Sequence, residues 1–515
     1  MYHNAIAERL TNASSEWLRR TLFVSDAGRI SYGEARETAL AYAGWLAKSE
    51  GIRPGDRVAL CLPKTMEAVL AIYGILAAGA AYVPLQFRGP PARMRAILAS
   101  LRPQLFITTG DMAARLQPAG PADLPAIRTI EVPDGEEALA LLRRGVAPKR
   151  AIAEVSPQDI AAIYFTSGST GEPKGVVWSH CSMAAAIAGL PRWRGQRADD
   201  RLISVSGLHY AASCEIFYPI YSGASVYLCS DQEILIAKHL AQTVERERTT
   251  IWSSTATGLR MLVEGGSLPA RKLGALRRVE TYGERMPIAA LRAAMEALPH
   301  AEFHNLYAAT EAFDMIEYDI PRPLDPAAGE LPLGRPSPNY ELSLRDEMGR
   351  AVMPGEVGEI CVVGPAVTIG YWNDPALSAA KRLSNTPDSY RTGDLAVLGV
   401  DGLLRLVGRK DHVVKLRGHR FDLGEIEAAA KLEPSVREAV AFTCDGPTEA
   451  AGIALAVLAD EATDGGTDLE DRIRRLCTQR LPGFARPGRI VRLSEFPLLS
   501  TGKIDRRTLE RLVTA

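Results

Sequence analysis

The stretch Tyr164–Gly175 reads YFTSGSTGEPKG, with three glycines, two serines, two threonines, one proline and one lysine. AAIY before it is strand-like and GVVWSH after it resumes an apolar run, so the stretch is a loop at a strand end. Gly168, Gly171 and Gly175 let the backbone amides turn toward one point. Thr166, Ser167, Ser169 and Thr170 add hydroxyls, and Lys174 adds a positive charge. Clustered amides, hydroxyls and an ammonium make an anion cradle. Composition alone would also suit a flexible linker, but Pro173 and the flanking strands argue against one. A P-loop needs Gly directly before Lys, then Ser or Thr. Here Pro173 precedes Lys174 and Gly175 follows it, so this is a different phosphate loop.

Strands and helices alternate upstream of the loop. RVALCL (Arg57–Leu62), AYVPL and QLFITT read as strands, separated by the apolar helix TMEAVLAIYGILAAGA and the amphipathic helix PARMRAILASL. In the latter, Met94, Ile97, Leu98 and Leu101 recur at helical spacing. This order predicts an α/β fold with a mainly parallel, helix-covered sheet. Residues 110–156, rich in Pro, Ala and charge, read as a surface excursion. At 515 residues the chain is too long for one core, so at least two domains are expected. Apolar residues make up 47% and charged residues 23%, as in an ordinary globular protein, and a net charge of −1 does not suggest a nucleic-acid partner. No apolar run approaches the ~20 residues of a membrane span. The N-terminus lacks the pattern of a secretory signal. The seven cysteines are scattered, with no Cys-x-x-Cys pair. A reduced, cytoplasmic protein is the expectation.

FTSGSTGEPKG resembles the signature loop of the adenylate-forming superfamily, which includes acyl-CoA ligases, luciferases and peptide-synthetase adenylation domains. Further motifs follow in family order: AAGAAYVPL (Ala77–Leu85), NLYAATE (Asn305–Glu311), YRTGDL (Tyr390–Leu395), GRKDHVVKLRGHRFDLGEIE (Gly408–Glu427) and TGKIDRRTL (Thr501–Leu509). One such motif is weak; the set, spread over almost the whole chain, is specific. The resemblance implies that ATP reacts with a carboxylate to give an acyl-adenylate and pyrophosphate. A thiol then takes the acyl group. Two anions must meet in the first step, so cations and amide donors are needed at the phosphates.

By this resemblance, Thr166, Ser167, Gly168, Ser169, Thr170, Gly171 and Lys174 hold the β- and γ-phosphates. Tyr307 stacks on adenine, Thr310 contacts the α-phosphate and Glu311 binds Mg²⁺. Asp394 accepts bonds from the ribose hydroxyls, and Arg409 lies beside the ribose or phosphate. Lys503 matches the catalytic lysine of adenylation, Asp411 the hinge pivot and Gly418 the channel for a pantetheine arm. Residues 1–409 are expected to form a large domain for ATP and the carboxylate. Residues 410–515 are expected to form a small, mobile α+β domain that brings Lys503 in and then swings it away. Taken singly, Asp394 would be a solvated turn residue, Tyr307 a core residue and Lys503 a surface lysine; the motifs change those readings.

The acid pocket is expected to involve His209, Tyr210, Ala211, Cys214, Glu280, Tyr282, Leu306 and Asp314. Relatives that activate α-amino acids place an Asp where Tyr210 stands, so ordinary L-α-amino acids have lost their anchor. Either Glu280 and Asp314 both face solvent or pair with arginine, or one of them binds an amine or guanidinium set farther from the carboxylate, as in a β- or ω-amino acid. A neutral aryl or aliphatic acid is the rival substrate. The family's Gly-Pro before Thr-Glu is Ala308-Ala309 here, which fits if the backbone keeps negative φ. FDLGEIE resembles peptide-synthetase domains more than typical CoA ligases, and twelve residues follow Lys503. The expected acceptor is therefore a phosphopantetheine on a separate carrier protein. The alternatives are free coenzyme A, or a non-catalytic or luciferase-like role.

Overall fold

The computed structural model describes residues 5–117, 127–133, 140, 152–166, 172–325, 330–410, 413–416, 419–444, 452–459, 469–497, 504 and 506–514. The predicted helices and strands around the loop form from local signals. Thr65 accepts a bond from the Ala68 amide and starts the helix Met66–Ala77, in which every residue from Ala68 to Ala77 is buried. A helix apolar all round belongs inside a layered domain. It packs against Tyr32–Lys48, started by a capping box of Ser31 and Glu34. Gly74 permits the close approach, because a Cβ there would meet Tyr42 Cβ at 2.3 Å.

A nine-stranded sheet runs in the order Arg335–Pro336, Ala312–Ile320, Glu302–Ala309, Arg278–Tyr282, Ile251–Thr255, Arg201–Ser204, Ser225–Leu228, Thr21–Ser25, Gly28–Ser31. Its middle is parallel and its two edges are antiparallel. Alternation along the strands divides two cores. Leu202, Val226 and Ile251 face the helices Tyr32–Lys48 and Met66–Ala77. Their neighbours Ile203, Tyr227 and Trp252 face Ala237–Arg246, Ala256–Gly265 and Ile288–Ala297. A seven-stranded sheet runs Gly370–Tyr371, Lys174–Ser179, Ile160–Thr166, Ala81–Pro84, Arg57–Cys61, Leu105–Thr109, Thr129–Val132. The loop that opened the sequence reading thus joins neighbouring strands.

The structure corrects one expectation. The supposed excursion after Thr109 contains the helix Gly110–Leu116 and the strand Thr129–Val132, which pairs in parallel with Leu105–Thr109. Such short elements do not outweigh a Pro- and charge-rich composition. A four-stranded antiparallel sheet, Glu341–Arg345, Val357–Val363, Ser389–Leu398 and Leu404–Arg409, adds to the mainly parallel architecture. Only the link between Val357–Val363 and Ser389–Leu398 carries a helix, the short Pro375–Ala380. All seven cysteines are free thiols, five of them buried.

Contacts divide the chain into two compact units: residues 1–87, 101–164 and 175–410, and residues 88–100, 165–174 and 411–515. The C-terminal part of the smaller unit is α+β. The hairpin Val413–Leu416 and His419–Asp422 leads into Leu423–Ala430, capped by Asp422. Strands Val436–Cys444, Gly452–Ala459 and Arg489–Leu493 form a sheet, with helices Leu469–Arg480 and Arg506–Thr514. Glu427 Oε1 accepts the Ala441 amide (3.0 Å) and pairs with Arg506 (2.9 Å), tying the terminal helix to the first one.

Candidate active site

The antiparallel sheet pairs Asp394 directly with Arg409 across neighbouring strands. One Arg409 nitrogen donates to Asp394 Oδ1, and another reaches Thr392 O at 3.1 Å. From the nine-stranded sheet, the Tyr307 hydroxyl donates to Asp394 Oδ2. Tyr307 is 4% exposed and Asp394 5%. Burial and the Asp394 charge hold the phenol well above its ordinary range, so it remains a donor. A bulge follows Tyr307, and neither Ala308 nor Ala309 has positive φ, as the alanine substitution requires.

Sequence reasoning missed Glu359, which fixes this corner. Its Oε1 accepts the Gly393 amide (3.0 Å), and its Oε2 gathers Arg391 (2.7 Å) and Lys410 (3.3 Å). Burial works against its charge, but Arg391 and Lys410 outweigh burial and lower its carboxyl. The signal for it was a lone carboxylate inside the apolar strand Val357–Val363.

Thr310 and Glu311 form the turn between Glu302–Ala309 and Ala312–Ile320. Trp178 Nε1 donates to Thr310 O (3.1 Å), and the Thr368 amide to Glu311 O (2.9 Å). The Glu311 side chain is buried, yet its Oε1 accepts the Tyr371 hydroxyl at 2.7 Å. Trp178, Thr368 and Tyr371 were not legible as site residues, because their motif-free context reads as ordinary core. A hard carboxylate suits Mg²⁺, which takes one or two protein oxygens and completes its shell with phosphate and water.

Thr166 ends one strand and Lys174 begins its neighbour; the Thr166 hydroxyl lies 3.5 Å from Lys174 O. Ser167, Gly168, Ser169, Thr170, Gly171, Asp411, Gly418 and Lys503 lie outside the described residues.

The expected acid-pocket residues cluster around a short helical segment, Ala211–Phe217. Before it, Tyr210 N donates to Gly207 O (3.0 Å) and the His209 and Tyr210 rings lie 3.8 Å apart. Cys214 Sγ lies 3.4 Å from the Tyr218 hydroxyl, which donates to Asp314 Oδ2 at 3.2 Å. Tyr282 shares a 2.9 Å hydrogen bond with Ser206. Burial pushes the Cys214 thiol and the Tyr282 phenol up, so both stay neutral. Leu306 is buried in the adjoining strand.

Glu280 and Asp314 pair with arginine. Glu280 accepts from Arg278 Nε (2.6 Å) and from Arg194 Nη1 (3.2 Å), so both its oxygens are taken. Burial raises its carboxyl, but the two arginines outweigh burial and bring it down to about 2. Arg194 Nη2 also pairs with Asp314 Oδ2 (2.7 Å). With one arginine against its burial, Asp314 is raised. Arg194 was missed in the sequence, where it looks like one surface arginine in PRWRGQR.

A buried pair supports the same segment. Lys64 Nζ donates to Ser204 O (2.8 Å) and Ser206 O (3.1 Å), and burial lowers its pKa. Glu215 is buried with Oε1 lacking a hydrogen-bond partner among the described residues, and burial pushes its carboxyl up to about 7.

Two family models match the chain: AMP-binding enzyme over residues 10–372, and AMP-binding enzyme C-terminal domain over residues 425–503. The chain belongs to the AMP-binding enzyme family, and its class is that of the adenylate-forming ligases. It is 35% identical to the L-proline–(L-prolyl-carrier protein) ligase of Streptomyces coelicolor, over 97% of this chain and 94% of that one. It is 32% identical to a dimodular nonribosomal peptide synthase of Bacillus subtilis, over 95% of this chain but only 20% of the synthase. The crystal structure of IdnL1 superimposes with a TM-score of 0.80 at 26% identity, covering 95% of this chain and 98% of IdnL1. Among the described residues no helix is long and apolar enough to cross a membrane.

Proposed function

We propose that this adenylate-forming ligase loads a carboxylic acid onto the phosphopantetheine thiol of a separate carrier protein. The observation that carries the acceptor is the near full-length match to a carrier-protein ligase. In this reading Tyr307 presents its ring to adenine. Asp394 accepts the ribose hydroxyls with lone pairs left beside Tyr307 and Arg409, since a carboxylate offers about four. Thr310 and the loop from Thr166 to Lys174 cradle the phosphates. Glu311 is the residue that would hold Mg²⁺, which would supply positive charge to offset that of the phosphates. Lys503 draws the substrate carboxylate to the α-phosphorus, and pyrophosphate leaves. The unit that begins at the pivot Asp411 then turns, and Gly418 lets the pantetheine arm pass the backbone.

The acid is not a standard L-α-amino acid in this reading, because Tyr210 offers no carboxylate for an α-ammonium. An unpaired ammonium in a dry site would cost several kcal/mol. Pyrophosphate exchange over a broad acid panel, L-proline included, tests the substrate. L-proline and the other common L-α-amino acids should be poor; strong exchange with any of them would defeat the Tyr210 argument. Intact-protein mass after addition of carrier protein or of coenzyme A tests the acceptor. A thioester on the carrier is expected; rapid turnover with coenzyme A alone would make the enzyme an acyl-CoA ligase.

A further inference from the structure

Arg194 follows the short helix Leu190–Trp193 and runs beneath the candidate acid site. Its side chain is 3% exposed, lies over the Tyr218 ring at 5.4 Å, and bridges Glu280 to Asp314. The bridge continues: Arg278 pairs with Glu280 and Glu317 and donates to His304 Nε2 at 2.9 Å. His304 Nδ1 in turn lies 2.7 Å from Asp319 Oδ1 and 2.9 Å from Glu317 Oε1.

Arg194 and Arg278 face the carboxylates of Glu280, Asp314 and Glu317, and His304 also lies against Glu317. The hydrogen bonds distinguish the carboxylates. Both oxygens of Glu280 are engaged and its side chain is 1% exposed. Asp314 Oδ2 is held by Arg194 and Tyr218, while Oδ1 takes no hydrogen bond among the described residues, and the side chain keeps 10% exposure. Asp314 also has φ +44, a left-handed conformation that Asp tolerates better than most residues. Tyr218 links Asp314 to Cys214, and the buried Tyr282 phenol feels the charges of both.

We propose that Arg194 is the specificity-determining residue of the acid site. It closes off Glu280 and one oxygen of Asp314, and leaves Asp314 Oδ1 to bind one cationic nitrogen that the substrate carries away from its carboxylate. This inference rests on the adenylation reading above and narrows its substrate to an acid with a β- or more distant amine or guanidine. Such a substrate gives Asp314, whose Oδ2 is held by Arg194 and Tyr218, a cationic partner for its second oxygen. Burial raises the Asp314 carboxyl, as expected of a group waiting for a counter-charge. Arg194 acts through Asp314 and is a positioning residue.

The test compares matched acids, each β- or ω-amino acid against its des-amino analogue, by pyrophosphate exchange. The wild type should favour the amino acid by ~10²-fold in kcat/KM, the scale of an unpaired buried charge. Asp314→Asn, which is isosteric, should abolish that preference, with a far larger loss for the amino acid than for its des-amino analogue. Arg194→Lys keeps the charge but cannot bridge two carboxylates. It should raise KM for the amino acid ~10-fold with kcat little changed, a larger effect than on the neutral acid. A wild type that prefers des-amino acids would overturn the proposal. So would amine preference surviving in Asp314→Asn, or equal losses for both acids in Arg194→Lys. Absence of exchange with every acid would instead refute the adenylation reading.

Discussion

Replacing Tyr371 by Phe removes one hydroxyl and leaves the ring in the core. The hydroxyl donates to Glu311 Oε1 at 2.7 Å, and both residues are buried, at 8% and 1% exposure. A hydrogen bond to a charged group contributes ~1.5–3 kcal/mol. At about 1.4 kcal/mol per decade, its loss corresponds to a factor of ~10–100. The Glu311 carboxylate then loses one of the contacts that orient it, and small misplacements at a reacting centre are costly. Tyr371→Phe should therefore lower kcat/KM for ATP ~10–100-fold in pyrophosphate exchange and raise the Mg²⁺ concentration for half-maximal rate. Part of the loss should be recovered at high Mg²⁺. Exchange at limiting Mg²⁺ within about threefold of wild type would show that Tyr371 does not orient the metal-binding carboxylate.

Three further predictions concern other parts of the chain. Lys503→Ala should lower adenylation by ~10²–10³, the scale of one preorganised electrostatic contact, and spare thioester formation from supplied acyl-adenylate; equal loss in both half-reactions would overturn its role. Asp411→Pro should fix φ at the pivot and slow thioester transfer more than adenylation, and a variant with both steps intact would put the hinge elsewhere. His180 is buried with neither ring nitrogen hydrogen-bonded among the described residues, and burial takes it from the ordinary 6.5 down to about 4. The fold thus holds it neutral while the unfolded chain protonates below about 6.5, so its stabilisation is full above that pH and lost as pH falls toward 4, by ~3 kcal/mol in total. Denaturation of wild type and His180→Leu across that window should show a flatter slope in the variant; identical slopes would contradict the assignment.

The motifs were legible because their chemistry constrains several neighbouring residues at once. YRTGDL and GR placed Asp394 and Arg409 in one site, and the structure pairs them across two strands. The helix Met66–Ala77 was legible because its residues are nearly all apolar. What stayed hidden acts through distant partners. Arg194 lies 86 residues before Glu280, and their bond has no local pattern. Glu359 and Tyr371 likewise fix loops far from themselves in the chain. The sequence left two readings for Glu280 and Asp314. The arginine that pairs with both sits on a separate element whose packing no periodicity reveals.

The central claim is that a carboxylate oxygen of the substrate attacks the α-phosphorus of ATP. Taking the acid that supports the fastest exchange and labelling its carboxylate with oxygen-18 tests this directly. Attack forms a bond from a labelled oxygen to phosphorus and breaks the bond to pyrophosphate. When the thiol takes the acyl group, that oxygen stays with AMP. Mass analysis after complete thioester formation should find one labelled oxygen in AMP and none in pyrophosphate. Label in inorganic phosphate, with ADP as the other product, would show attack at the γ-phosphorus and contradict the account.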